Sequence, residues 1–75
     1  MKVFVHLRTQ GKHDWSNTVH DFNSLPTVGE YVQVDDLSKW HIVQLVVHCP
    51  FSGEFSSEIY AVEVDHLDEL KRLTS

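Results

Sequence analysis

Lys39-Trp40-His41-Ile42-Val43-Gln44-Leu45-Val46-Val47-His48 is the stretch on which the reading of this chain turns. Its β-branched residues favour a strand. Strand alternation sets Val43, Leu45 and Val47 on one face and Trp40, Ile42 and Val46 on the other. Both faces are apolar. A strand of that kind is central and covered on both sides, or bends within a small barrel, or shows one face to a partner.

Working outward, the flanks also read as β-structure. In residues 2–9, Val3, Val5 and Leu7 alternate with Phe4, His6 and Arg8, the pattern of a half-buried strand. Residues 10–17 are polar and contain Gly11, which predicts a loop, with a short strand over 18–22. Pro26 holds Leu25 extended. Residues 29–34 predict a strand with Val32 and Val34 on one face and Tyr31 and Gln33 on the other. Asp35-Asp36 with Ser38 marks a turn. After Pro50 and Gly53, residues 55–64 predict a further strand, with Tyr60, Val62 and Val64 opposite Ile59 and Ala61.

The chain closes on a helix signal. Asp65 is a suitable N-cap with Asp68 three residues on, and Lys71 and Arg72 suit the last turn. Leu67, Leu70 and Leu73 form a stripe. A helix this short is not stable alone, so it is expected to dock on the sheet, its leucines covering one face of the central strand. The fold expectation is a single, mainly β domain over 1–75: about five antiparallel strands in a small barrel or curled sheet, with a short C-terminal helix.

The segment Leu25-Pro26-Thr27-Val28-Gly29-Glu30-Tyr31-Val32-Gln33-Val34 resembles a recurring element of SH3-like small barrels, in which a Pro-x-Val-Gly-Asp/Glu turn leads into an alternating strand. Trp40-x-Ile42-Val43-x-x-Val46-Val47-His48 resembles the strand that follows it. The resemblance extends to short bacterial proteins of this type and spans roughly a third of the chain. It implies a small barrel. It implies no particular ligand, because such barrels serve as peptide binders, nucleic-acid binders and structural modules alike. The aromatic peptide-binding pattern of SH3 domains and a basic RNA-binding loop are both missing from the sequence.

Charge and cysteine content narrow the function classes. The 75 residues carry a net charge of −5, and between positions 13 and 70 eleven carboxylates face Lys39 alone, a local charge of −10. Phosphate-backbone binding needs clustered Lys and Arg, so nucleic acid is not the expected partner. One cysteine, Cys49, rules out an internal disulfide. With no signal-peptide pattern and no apolar run of membrane-spanning length, a cytoplasmic location is expected.

No catalytic constellation stands out. Six histidines include five on a seven-residue register, His6, His13, His20, His41 and His48, yet strand alternation separates His41 from His48, and no paired zinc spacing occurs. Cys49 and His48 are adjacent and so diverge in a strand. Asp35-Asp36 belongs to a turn and Asp65 to a cap. A non-enzymatic protein-interaction or assembly module is therefore expected, binding through Trp40, Ile42 and Val46 with Trp15 and Tyr31 nearby. Its partner would be another protein or a second copy, and no cofactor, metal or membrane is called for. The alternatives are a small metal- or ligand-binding protein using histidines, or an acidic decoy of a nucleic-acid-binding protein, for which Glu54, Glu58, Glu63, Asp65, Asp68 and Glu69 would have to share one face.

Overall fold

The computed structural model describes residues 1–9, 11–36 and 38–74. Five strands, β1 (Lys2–Arg8), β2 (Trp15–Asp21), β3 (Tyr31–Val32), β4 (His41–His48) and β5 (Ser57–Glu63), precede one helix, α1 (His66–Thr74). They form one curled half-barrel sheet in the order β2-β1-β5-β4-β3. Three of the four pairings are antiparallel. The fourth, β1 with β5, is parallel, with Val5 opposite Ile59, so the sheet is mixed where only antiparallel pairing was expected. A pairing between the first and last strands leaves no local signal in either, because it is closed by packing rather than by a turn.

The strand at the centre is β5, not β4. Ser57, Ile59 and Ala61 are buried on one face, and register aligns them with Val3, Val5 and Leu7 of β1. In β4 the register slips once: Val43 opposes Ala61 and Leu45 opposes Tyr60, leaving Gln44 without a partner. This β-bulge reverses the alternation of everything after it. His41 and Val43 face the core before the bulge, and Val46 and His48 after it. Ile42, Leu45 and Val47 face the other way. The expected grouping of Trp40, Ile42 and Val46 on one face is thus corrected, since Val46 packs against the core. The expected separation of His41 from His48 is corrected for the same reason.

The core is Val3, Val5, Val32, Val43, Ile59 and Ala61, with Leu7, Phe22, Leu25, Val34 and Val46 packed against it. Burying a Val or Ile side chain is worth about 1.5–3 kcal/mol, so the four fully buried ones dominate the stability of so short a chain. Cover comes from the segment that follows β2. Its Thr27–Glu30 turn has Gly29 at φ +92°, a conformation that other residues adopt at a cost. Glu30 N–H donates to the Thr27 carbonyl at 3.0 Å, and the Glu30 carboxylate accepts from Thr27 N–H and Oγ1 at 2.6 and 2.9 Å. These donors, the backbone one foremost, hold its pKa below the ordinary carboxylate value. Gly29 N–H donates to Val43 O and Val43 N–H to Glu30 O, each at 2.9 Å, which fastens the turn to β4. The turn replaces the start of the strand expected over 29–34, and regular pairing is confined to Tyr31 and Val32.

Two further expectations change. Trp15, Ser16 and Asn17 belong to β2 rather than to a loop, because they pair with Arg8, Leu7 and His6. Gln10, the first residue of that expected loop, lies outside the described residues. The helix begins as read, with Leu67 N–H donating to Asp65 Oδ1 at 2.9 Å, but it does not cover the core. Val64 N–H is still in a sheet-type bond to Trp40 O at 2.9 Å, and Asp65 alone separates it from α1. One residue cannot turn a helix back over the sheet. Leu67, Leu70 and Leu73 stay exposed at 58, 43 and 81%.

The bulge makes opposite predictions for neighbours of the same type. Val46→Asp places a carboxylate against the core and should lower the thermal midpoint by roughly 10–20 °C. Val47→Asp should lower it by about 4 °C or less, because its side chain meets water. Equal losses in circular-dichroism melts would show that the register does not slip at Gln44.

Candidate functional site

Register divides the outer face of the sheet, the one turned away from the core, into three rows. The first is Trp15–Arg8–Val62–Ile42–Tyr31 and crosses all five strands; Asn17–His6–Tyr60–Leu45 and Val19–Phe4–Glu58–Val47 follow. Three of the predicted contact residues, Trp15, Ile42 and Tyr31, therefore share one row. Trp15 and Tyr31 lie at its two ends, about 19 Å apart at ordinary strand spacing. Trp40 joins at the corner, its ring 5.7 Å from Tyr31 and 5.5 Å from His66. Val46 lies on the opposite face.

The two halves of the outer face differ in kind. Over β2, β1 and β5 the rings cover one another. Phe55 lies 4.8 Å from Phe4, Phe4 4.4 Å from His6, and His6 stacks on Tyr60 at 4.3 Å and 16°. Tyr60 meets Trp15 edge-on at 5.4 Å, and the Arg8 guanidinium lies 5.3 Å from the Trp15 ring centre. Among the described residues no such cover lies over β4. Leu45 is 60% and Val47 41% exposed, and Ile42 and Val62 are half-buried. Beyond Ile42, no strand among the described residues pairs with β4 on its far side from Leu45 to His48, because β3 is only two residues long.

Within the aromatic half lies a polar array the sequence did not single out. Buried His6 is hydrogen-bonded at both ring nitrogens, Nδ1 to Asn17 Oδ1 at 2.6 Å and Nε2 to Glu58 Oε1 at 2.9 Å. Asn17 Nδ2 donates to Trp15 O at 3.4 Å, which turns its oxygen toward the imidazole. Three strands are tied by one side chain, and its burial is matched by partners. Cys49 sits on the far side of Glu58, its Sγ donating to Oε2 at 3.7 Å. Burial, then the Glu58 charge, then that hydrogen bond push the thiol pKa up. A carboxylate beside a buried thiol keeps it protonated, the opposite of what a nucleophile requires. His48 is exposed and is no part of the array.

The histidines otherwise stay apart. Among the described residues no three His, Cys, Asp or Glu side chains gather to hold a metal ion. The carboxylates are dispersed as well: Glu58 lies on the outer face, Glu63 on the core side opposite His41, and Glu69 on the helix bonded to Tyr31 and Arg72. Among the described residues no helix is long and apolar enough to cross a membrane.

Sequence reasoning missed Leu45 and Val47 as outward residues. Gln44 was the available signal, a polar residue interrupting an apolar run at the point where the register slips.

No protein family, curated protein or solved structure matches this chain.

The Tyr31 hydroxyl donates to Glu69 Oε2, fastening α1 to the β3–β4 corner. That bond, burial and the Glu69 charge raise the phenol above its ordinary 10.0. A raised folded-state pKa means the link is intact below pH 10.0 and is lost as pH rises through the folded value. Tyr31→Phe should speed amide exchange in α1 several-fold while leaving the exchange of β1 and β5 and the thermal midpoint almost unchanged. Protection of α1 equal to the wild type would show that the bond does not hold the helix.

Proposed function

We propose that this chain is a small, non-enzymatic protein-interaction or assembly module of the cytoplasm, whose contact surface is the β4 side of the outer sheet face. One observation carries the reading: Ile42, Leu45 and Val47 form an aliphatic strip on a sheet face over which the described residues place no layer, in a chain with few apolar side chains to spare. Large exposed apolar groups gathered on one face are characteristic of interaction surfaces. Tyr31 and Trp40 lie at one end of the strip and are the residue types that anchor interfaces. The unpaired stretch of β4 adds backbone donors and acceptors beside it. The curled half-barrel and the Gly29 turn support a kinship with SH3-like small barrels, a fold that serves assembly as readily as recognition. The raised Cys49 pKa and the saturated His6 support a non-catalytic role.

Site-specific photo-crosslinking tests this. A photoreactive phenylalanine analogue at position 45 or 47, irradiated in an extract of the host, should give discrete adducts. The same analogue at position 12, in the exposed β1–β2 connection, should give none. Indistinguishable adducts from all three positions, or none from 45 and 47, would remove the basis of the proposal.

A further inference from the structure

Two apolar surfaces lack cover among the described residues, and the fold keeps them from covering each other. One is the leucine stripe of α1; the other is the Ile42–Leu45–Val47 strip. The helix is fastened at the His41 end of β4, through Glu69 to Tyr31 and through His66 against Trp40. Leu45 and Val47 lie four and six residues further along β4, about 13–20 Å from that end. The helix itself is only about 13 Å long and leaves the sheet after a single intervening residue. The molecule is 45 Å along its longest axis against 25 and 21 Å across. Strands of seven or eight residues span about 25 Å, so part of that length is taken up by segments beyond the strand ends, α1 following β5 at one end and the 49–56 connection at the other among them.

From this we infer that the chain pairs with a second copy of itself, α1 of each protomer lying on the aliphatic strip of its partner. The inference rests on the contact surface proposed above and names its occupant. A stripe and a strip carried by the same chain, unable to meet within it, are satisfied together by one two-fold axis, because each contact is then made twice. Charge supports the match. Lys71 and Arg72 stand in the last turn beside the leucines, and Val47, at the far end of the strip, lies opposite Glu58 on β5. Burying both copies of each surface together also offsets what a short α1 lacks in its own protomer.

Sedimentation equilibrium of the full chain and two charge variants tests it. The wild type should be a dimer. Leu70→Glu and Leu45→Lys should each weaken association tenfold or more while keeping a cooperative melting transition, lowered only by the loss of the partner, since both positions are exposed in the protomer. Their equimolar mixture should regain a dimer, because one interface then sets Glu against Lys and the other is wild type. If either variant loses its melting transition, Leu73→Glu and Val47→Lys replace them. A wild-type monomer at every accessible concentration would overturn the inference, as would a dimer that both variants leave intact, which would place the interface elsewhere, for instance at the β2 edge. A monomer that still forms adducts to another protein at position 45 would overturn self-pairing and leave the contact surface standing. A monomer with no adducts would remove both.

Discussion

A single unpaired residue, Gln44, governs the arrangement of this sheet. Without the bulge, Leu45 and Val47 would follow Val43 into the core, and Val46 would follow Ile42 outward. With it, Val43 and Val46 lie over Ala61 and Ile59, and the aliphatic residues between and after them turn to the opposite face. The apolar content of β4 is thereby shared between two faces, of which the segment after β2 covers one. A bulge also increases local twist and bend, consistent with the curl of the half-barrel around β5. The Gly29 turn is fixed against Val43, the last residue before the slip, so the cover of the core and the break in register are joined by the same pair of backbone hydrogen bonds.

The outer face is stabilised differently in its two halves. Over β2, β1 and β5 a row of rings and one buried imidazole provide lateral contacts without a second layer. His6 links Asn17 on the edge strand to Glu58 on the central one, and a polar group so bonded replaces in directionality what the face lacks in apolar depth. Over β4 the side chains are aliphatic and make no such lateral network. Rings cover one another edge to face, whereas Leu45 and Val47 can exclude water only beneath another layer. The difference in chemistry explains why one half of the face is self-sufficient and the other is not.

Much of the fold was legible locally. The alternation of β1, the identity of β5 as a strand, the Asp35–Ser38 turn and the Asp65 cap each follow from neighbours in sequence, and each is in place. What was not legible depends on distant partners. Trp15, Ser16 and Asn17 look like loop residues because an edge strand needs no apolar face; Arg8 over the Trp15 ring and His6 against Asn17 recruit them. The parallel β1–β5 pairing joins residues more than fifty positions apart. Of the candidate site, Trp15, Ile42 and Tyr31 fall in one row and Trp40 beside it. Val46 was misplaced, and Leu45 and Val47 overlooked, by the same assumption of unbroken alternation.

The leucine stripe of α1 exposes the limit of reading burial from pattern. Amphipathicity states that a face requires cover; it does not state which surface provides it. Here chain connectivity decides. The sheet bond of Val64 to Trp40 runs to within one residue of the helix cap, and Tyr31 and Trp40 hold the polar side of α1 at the corner. The stripe is left facing outward by the very contacts that place the helix. A short chain buries a smaller fraction of its surface than a long one and has little stability in reserve. In such a chain, three exposed leucines and an uncovered aliphatic strip are better explained as halves of one contact than as two independent losses.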